Sequence, residues 1–151
     1  MFHGVHNINM DAKGRMAMPS RLREPLHDFC QGRIVLTIDT QSPCLVMYPY
    51  PEWERISAEI QALPDLRPTV KRFKRLKLGY ASDLELDGNG RILLPPPLRE
   101  YARLEKKLML AGLGNKLELW SENLWMGECD QALQDSLAGE ELPEELLSLT
   151  L

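Results

Sequence analysis

The stretch that decides the fold reads DAKGRMAMPSRLRE over residues 11–24, and it returns as DGNGRILLPPPLRE over residues 87–100. Both versions begin with aspartate, have glycine fourth and arginine fifth, and continue to a proline and the letters LRE at the same distance. Ordered identities of this kind, all at one constant offset, are difficult to obtain by chance. The chain is therefore predicted to contain an internal duplication.

The similarity between the two halves continues towards the C-terminus, with small loop deletions. The letters IVL at 34–36 align with LML at 108–110, and three later matches follow in order: Leu45 with Leu117, Tyr48 with Trp120, and Trp53 with Trp125. The duplication therefore covers nearly the whole chain and predicts two similar structural units.

Each DxxGR segment is predicted to be a tight turn between two strands. The carboxylates of Asp11 and Asp87 can accept hydrogen bonds from backbone N–H groups a few residues later, while Gly14 and Gly90 permit a positive φ. An arginine then opens the returning strand, as expected for a hairpin. These four residues are the predicted turn-forming set.

Alternating apolar residues predict four short strands in each unit: 5–10, 15–18, 33–38 and 45–48 in the first, and 84–86, 91–94, 107–111 and 116–120 in the second. A short helix containing LRE follows the second strand of each unit. Since Pro25 lies inside the first of these helices, that helix is predicted to last only a turn or two.

A longer helix is predicted after each unit, and each begins near a tryptophan. The first carries an apolar stripe on one face and ends before Pro64, its stripe being Trp53, Ile56, Ile60 and Leu63. The second spans roughly 121–137, with Ser121 as its predicted N-cap. The remaining residues, 139–151, are predicted to form a frayed acidic tail.

These patterns predict a mainly β protein with short helices, of the α+β class. Its predicted parts are a first repeat at 2–50, a helical linker at 51–79, a second repeat at 80–120, a C-terminal helix at 121–138 and the acidic tail at 139–151. A unit of about 75 residues buries too little apolar area to be comfortably stable alone. We expect the two units to interlock their hairpins as a pseudo-twofold barrel, each covering the other's open strand edges.

Composition is that of a globular protein, with 44% hydrophobic and 26% charged residues. No apolar run approaches the roughly 18 residues of a membrane span, so no interaction with a membrane is expected. The first fifteen residues also lack the long apolar stretch of a secretory signal, and the expected location is therefore the cytoplasm. The formal net charge is −4, but four glutamates fall in the last twelve residues, and the rest of the chain has 18 basic and 18 acidic residues. Local charge therefore decides which partners are attracted.

The segment 66–82 contains six basic residues and no acidic one. Its helical spacing collects Val70, Phe73, Leu76 and Lys77 on one face and most of the charge on the other. Four cations of this segment are candidate phosphate contacts: Lys71, Arg72, Lys74 and Arg75. The alternative interpretation is a solvated helix face without a ligand.

Neither catalysis nor metal binding is predicted. Cys30, Cys44 and Cys129 are odd in number and far apart, which favours three reduced cysteines over a disulfide framework or a zinc site. The DGNG segment lacks the later bidentate glutamate of a calcium loop. Because no Ser-His-Asp, Cys-His or P-loop set is present either, no enzyme activity, cofactor or small-molecule substrate is expected.

Together, these motifs make the chain similar to the MraZ family of bacterial transcriptional regulators. The resemblance rests on Phe2 and Gly4, the two DxxGR turns with Pro19 and Pro95, the LRE segments, YPYPEWE at 48–54 and LELW at 117–120. It implies AbrB-like swapped hairpins, two units per chain, and a closed ring of about eight to twelve subunits. It also implies a nucleoid-associated repressor that binds short direct DNA repeats ahead of the division and cell-wall gene cluster.

In the family, the arginine of each DxxxR motif contacts DNA, and the matching positions here are Arg15 and Arg91. A guanidinium can donate two parallel hydrogen bonds to the O6 and N7 atoms of guanine, and Lys13 lies beside Arg15 to meet a phosphate. The alternative for both arginines is an ion pair with the aspartate of the same turn. A second alternative for the whole protein is an interaction scaffold that does not bind DNA and acts through its acidic, leucine-rich tail.

Overall fold

The computed structural model describes all 151 residues, and it shows two sets of four strands separated and followed by helices. Every strand predicted from the sequence is present, with bounds that shift by at most two residues. The elements are β1 Val5–Asn9, β2 Arg15–Ala17, α1 Ser20–Cys30, β3 Arg33–Ile38, β4 Leu45–Pro49, α2 Tyr50–Ala62, α3 Pro68–Lys77, β5 Ser82–Glu85, β6 Arg91–Leu93, α4 Pro96–Tyr101, β7 Lys107–Gly112, β8 Leu117–Ser121, α5 Glu122–Leu137 and α6 Glu144–Leu147.

The two repeats exchange strands in a symmetric way. The first strand of each repeat pairs with the third strand of the other, as β1 with β7 and β5 with β3. Strands β2 and β6 pair with each other, and so do β4 and β8. All of these pairs are antiparallel. Neither repeat could form this sheet alone, which agrees with the prediction that the units interlock.

The hydrogen-bonded ladders form two sheets, and no closed barrel is found. One sheet has six strands in the order β1-β7-β8-β4-β3-β5, and the other is the two-stranded ribbon β2-β6. The strands of the ribbon are only three residues long, a proline follows each after one intervening residue (Pro19 and Pro95), and a single bridge between Met10 and Met16 links the ribbon to the end of β1. The fold is therefore mixed α+β with antiparallel sheets, and the single barrel expected from the sequence is not present as one continuous ladder.

The main core lies between the ribbon and one face of the six-stranded sheet. Met16 and Ile92 face each other across the ribbon, and both are buried in the same cluster as Ile34, Leu36 and Ile38 of β3. Helices α1 and α4 close the two sides of this core with their apolar residues. Because both repeats contribute to one core, their stabilities are coupled.

The opposite face of the six-stranded sheet is covered by α2, α3 and α5. Side chains alternate along a strand, so Tyr48 and Trp120 project away from the main core. Each packs against the tryptophan of the following helix, with ring centroids 5.6 Å apart for Tyr48 and Trp53 and 5.8 Å apart for Trp120 and Trp125. The aromatic pairs that aligned in the two halves of the sequence are thus equivalent contacts in space.

Two predictions about helices need correction. Helix α1 is eleven residues long and continues through Pro25, where a helix of one or two turns was expected. Three apolar residues at intervals of four, Leu22, Leu26 and Cys30, are buried along one side of α1, and this packing offsets the hydrogen bond that the proline removes. The acidic tail was expected to be frayed, but it contains the short helix α6, which is exposed on all sides.

The predicted cap of the last long helix is present. The Oγ of Ser121 accepts a hydrogen bond from the backbone N–H of Leu124 at 3.2 Å. No helix of the chain is both long enough and apolar enough to cross a membrane.

Candidate nucleic-acid interface

The first DxxGR segment forms a compact turn, turn 1, that is closed by its aspartate. The Asp11 Oδ1 accepts the backbone N–H groups of Lys13 and Arg15, both at 2.9 Å. Gly14 has a φ of +88°, which confirms the expected positive φ at this position. The Nε of Arg15 also donates to Asp11 Oδ2 at 2.8 Å, in an exposed ion pair. The Nη groups of Arg15 make no hydrogen bond within the chain, so the outer end of the guanidinium is open.

The second DxxGR segment, turn 2, repeats the backbone bonds of the first but not its ion pair. The Asp87 Oδ1 accepts the backbone N–H groups of Asn89 at 2.8 Å and Arg91 at 2.9 Å, and Gly90 has a φ of +72°. The Arg91 side chain is exposed and makes neither a hydrogen bond nor a salt bridge. The alternative of an aspartate–arginine pair is therefore seen in turn 1 only.

The backbone donors of both turns stabilise the charged form of the aspartate. The N–H of Arg15 makes the largest contribution to lowering the pKa of Asp11, and the Arg15 side chain adds to it. The N–H of Arg91 likewise lowers the pKa of Asp87 below its usual value. The turn hydrogen bonds therefore favour the charged carboxylate, which also predominates at neutral pH for an aspartate of ordinary pKa.

The ribbon holds the two arginines on one exposed face. Arg15 lies opposite Leu93, and Arg91 lies opposite Ala17, while the intervening pair of Met16 and Ile92 points into the core. Arg15 and Arg91 are therefore diagonal neighbours, and their Cα atoms are about 7 to 8 Å apart for standard antiparallel geometry. A single ribbon thus displays the two predicted DNA-binding arginines on the same side of the molecule.

Two further arginines lie against these turns, and the sequence alone did not assign them to the site. A Cβ atom added to Gly14 would be 2.7 Å from the Cζ of Arg99, and one added to Gly90 would be 2.5 Å from the Nε of Arg23. Each arginine comes from the helix of one repeat and packs on the turn of the other. The signal was available, because Arg23 and Arg99 occupy matching positions of the LRE segments.

Backbone hydrogen bonds connect the same turns across the repeats. The N–H of Leu94 donates to the carbonyl of Gly14 at 2.9 Å, and the N–H of Met18 donates to the carbonyl of Gly90 at 2.8 Å. Each glycine is also required for two separate reasons. Its φ is positive, and the absence of a Cβ allows an arginine of the other repeat to pack against its backbone. The turns are therefore held by hydrogen bonds to the other repeat as well as by those within their own hairpins.

The four candidate phosphate contacts of the basic segment have different environments. Lys71, Arg72 and Arg75 are exposed on α3. The Nζ of Lys74, in contrast, donates to the Leu63 carbonyl at 2.6 Å and forms an ion pair with Asp65 at 2.7 Å. The ammonium charge of Lys74 is therefore balanced by Asp65 within the chain.

Helix α3 lies on the far side of the six-stranded sheet from the ribbon. Its last residue, Lys77, is buried: the carbonyl of Lys77 accepts a hydrogen bond from Thr37 Oγ1 at 2.7 Å, and its Nζ lies 5.1 Å from the centroid of the Tyr48 ring. Thr37 and Tyr48 both belong to the outer face of the sheet. Burial lowers the pKa of Lys77. The C-terminal end of α3 therefore packs on the outer face of the sheet, while Arg75 lines a pocket together with Pro95 and Pro97, which follow β6.

One group of metal-ligating side chains is found, namely Asp39, Cys44 and Glu118, whose ligand atoms lie within 4.8 Å of one another. Two of these residues already have partners, since Asp39 accepts backbone N–H groups and Glu118 accepts the Trp120 indole N–H at 3.0 Å. Cys44 is fully buried, and this burial raises the pKa of its thiol far above the usual range. The three groups also lie near the ammonium of Lys77 and favour its charged form, so they form the surroundings of a buried lysine.

Comparison of the sequence with known protein families matches both repeats of this architecture. A family model described as "MraZ protein, putative antitoxin-like" matches residues 1–76 and 78–141, so that two copies cover the two repeats. The chain belongs to the MraZ family. A transcriptional regulator MraZ of Halorhodospira halophila is 56% identical over 152 residues, and that of Saccharophagus degradans is 54% identical over 151 residues. The MraZ regulator of Pseudomonas aeruginosa is 52% identical over 153 residues.

All three alignments cover the full length of both chains. The resemblance inferred from the spaced motifs is therefore confirmed over the whole sequence. The relatives are transcriptional regulators rather than enzymes, in agreement with the prediction that this chain is not an enzyme.

Proposed function

We propose that this protein is a sequence-specific DNA-binding transcriptional regulator that contacts double-stranded DNA through the outer face of the β2-β6 ribbon. The observation that supports this most strongly is the display of Arg15 and Arg91 on one exposed face, each directly after a turn fixed by an aspartate and a glycine. A rigid two-stranded ribbon has dimensions that the DNA major groove can admit.

Each arginine is proposed to contact base edges. The Arg15 Nε is held by Asp11, which leaves the two Nη groups as an end-on fork aimed away from the turn. All side-chain nitrogens of Arg91 remain open. A fork of this kind matches the O6 and N7 atoms of guanine and discriminates against other bases by about 1 to 3 kcal/mol. Lys13, at the tip of turn 1, is proposed to contact a phosphate.

A single chain offers only two such arginines, so useful affinity requires several chains acting together. We propose that copies of the chain assemble into a closed ring and that neighbouring subunits bind successive short direct repeats. Exposed apolar residues of the C-terminal segment are candidates for the contacts between subunits: Met126, Leu133, Leu137, Leu142, Leu146 and Leu147. All six lie in the segment 126–147 and are exposed, so they are available to a neighbouring subunit.

The proposed target is the promoter of the division and cell-wall gene cluster, where binding would repress transcription. The protein is accordingly proposed to be cytoplasmic and associated with the nucleoid. Lys71, Arg72 and Arg75 are exposed and remain proposed phosphate contacts, and Arg75 lines a pocket with Pro95 and Pro97, shortly after β6. Lys74 is left out of the proposed interface because its ammonium group is paired with Asp65.

A footprint on the DNA directly upstream of this protein's own gene tests the proposal. We expect protection in regularly spaced boxes by the unmodified protein and loss of protection by Arg15→Ala and Arg91→Ala variants that keep their assembly state. Each substitution should weaken binding at least tenfold, since one base contact is removed from every engaged subunit. A protein that stays assembled and protects nothing would instead favour the interaction scaffold.

A further inference from the structure

Arg23 and Arg99 have no part in base recognition as proposed above, yet each packs on the tip of a turn to which it does not belong. The Cζ of Arg99 is 2.7 Å from the position of a Cβ at Gly14, and the Cζ of Arg23 is 2.9 Å from that position at Gly90. Both guanidinium groups therefore rest directly on the backbone of the turn that presents a base-contacting arginine.

Most of the hydrogen-bonding capacity of these two arginines is unused. Arg23 donates only from Nε, to the Met18 carbonyl at 2.7 Å, and Arg99 makes no hydrogen bond at all. The Nε of Arg99 is buried without a partner. A guanidinium carries five N–H donors, and neither arginine is paired with a carboxylate. The unpaired N–H donors of these two guanidinium groups, which lie beside a candidate DNA interface, are therefore suited to bind an anion.

The charge around each tip also favours an anion. Turn 1 brings together Lys13, Arg15 and Arg99 with the carboxylate of Asp11. Turn 2 brings together Arg23 and Arg91 against Asp87, beside a cleft of about 180 Å³ that both Arg23 and Asp87 line. Both tips are therefore locally positive although the chain as a whole is acidic.

We propose that Arg99 and Arg23 bind backbone phosphates next to the base pairs that Arg15 and Arg91 contact. Each DNA-contacting tip is then a composite site, with its base-reading arginine from one repeat and its phosphate-binding arginine from the other. This inference rests on the proposed DNA-binding function. It assigns the two arginines of the LRE segments to the DNA backbone, where Arg forms bidentate, charge-assisted hydrogen bonds with phosphate oxygens.

The experiment measures binding of the full-length protein to two labelled duplexes of equal length at a series of salt concentrations. One duplex carries the direct repeats from upstream of the gene, and the other carries the same bases in scrambled order. The variants are Arg99→Ala and Arg23→Ala, with Arg55→Ala as a matched control. Arg55 is an exposed arginine on α2, across the six-stranded sheet from the ribbon, and its removal changes the net charge by the same amount.

We expect Arg99→Ala and Arg23→Ala to weaken binding to both duplexes by similar factors. The slope of log K against log salt should become shallower by about 0.9 for each phosphate that the variant no longer binds. Arg15→Ala should instead lower the preference for the repeats over the scrambled duplex. Arg55→Ala should leave both the slope and the preference unchanged.

Lysine at position 99 separates phosphate binding from a structural role. A lysine ammonium can bind phosphate as a point charge, so Arg99→Lys should recover most of the salt slope. If Arg99 only supported the turn, lysine would not reproduce the planar packing on Gly14, and binding would stay weak with an unchanged slope. The lysine variant also distinguishes the two roles if Arg99→Ala proves unstable.

Phosphate binding and base recognition can fail separately. If the unmodified protein prefers the repeats and needs Arg15, but the salt slope is the same for Arg99→Ala and Arg23→Ala, the phosphate assignment is wrong and the proposed function stands. If the unmodified protein shows no preference for the repeats, both are overturned.

Discussion

Turn 1 and turn 2 share a backbone but differ in their side-chain arrangement. In both, an aspartate accepts the same pair of backbone N–H groups and a glycine adopts a positive φ. In turn 1 the arginine is also tied to its aspartate, whereas Arg91 of turn 2 is free. Position 13 is lysine, and the matching position 89 is asparagine.

The difference between the turns separates two kinds of information in the DxxGR motif. Its aspartate and glycine specify the turn, because in both copies the carboxylate accepts two backbone N–H groups and the glycine adopts a positive φ. The arginine side chain is not fixed by these residues and takes two different environments. Turn 1 is thus preorganised and more positive, while turn 2 retains an arginine with full hydrogen-bonding freedom.

The largest expected effect concerns the core that both turns share. Met16 and Ile92 oppose each other beneath the ribbon and are almost completely buried. We expect Met16→Ala and Ile92→Ala each to lower the free energy of unfolding by about 2 to 5 kcal/mol, because either substitution leaves a cavity. Urea unfolding followed by tryptophan fluorescence and circular dichroism measures the change.

Because the repeats exchange strands, both variants should still unfold in one cooperative transition. Leu93→Ala is the control on the same ribbon, since Leu93 points outward and is 56% exposed, and it should change the stability by less than about 0.5 kcal/mol. Two separate transitions in Met16→Ala would show that the repeats unfold independently and that the two turns do not share one core.

The sequence predicted the parts of the molecule that depend on local pattern. Strand positions followed from alternation, the turns from aspartate and glycine spacing, and the pairing of the repeats from their small size. The length of α1 was wrong because burial of Leu22, Leu26 and Cys30 outweighed the local effect of Pro25. A local rule fails here because tertiary packing decides the helix length.

Features set by the arrangement of elements could not be read from the sequence. The charge pattern of the segment 66–82 predicted an exposed basic face, but it gave no indication that α3 lies across the sheet from Arg15 and Arg91. The pairing of Lys74 with Asp65 depends on how the chain turns between α2 and α3. Arg23 and Arg99 were visible as a repeated pair, yet their contact with the opposite turn requires the strand exchange.

A second, smaller effect sharpens the role of the glycines in the turns. Gly14 and Gly114 have nearly the same φ, +88° and +85°, but only Gly14 has an arginine against it. Alanine at either position should cost about 1 to 3 kcal/mol of stability through backbone strain. Since the guanidinium of Arg99 can move aside, the two variants should differ little in thermal unfolding.

DNA binding distinguishes these two variants. Gly14→Ala should displace Arg99 from the tip of turn 1 and weaken binding to repeat DNA, while Gly114→Ala should bind as the unmodified protein does. Measuring both affinities at a temperature where both variants are folded removes the contribution of stability. Equal affinities would mean that the position of Arg99 does not matter for the interface.

The smallest expected effect is the response of the two turns to acid. Both aspartates have a lowered pKa in the folded chain, so their contribution to stability is complete above the unfolded pKa of about 3.9 and is lost as the pH falls through the lower folded value. The window lies below about pH 4, and no change is expected near neutrality. Carboxyl carbon shifts in an NMR titration measure each folded pKa directly.

Asparagine at these positions isolates the ion pair that distinguishes turn 1. The side-chain oxygen of asparagine still accepts backbone N–H bonds, so Asp87→Asn retains the bonds that Asp87 makes, whereas Asp11→Asn loses the pairing with Arg15 as well. We therefore expect Asp11→Asn to lower stability at neutral pH more than Asp87→Asn does, and the difference should vanish once the pH is below the folded pKa of Asp11. Freed from Asp11, Arg15 should behave as Arg91 does, with more rotational freedom and slightly weaker binding to the repeats. Equal responses of the two turns would mean that the Arg15 ion pair contributes nothing, and that the preorganisation assigned to turn 1 comes from its backbone alone.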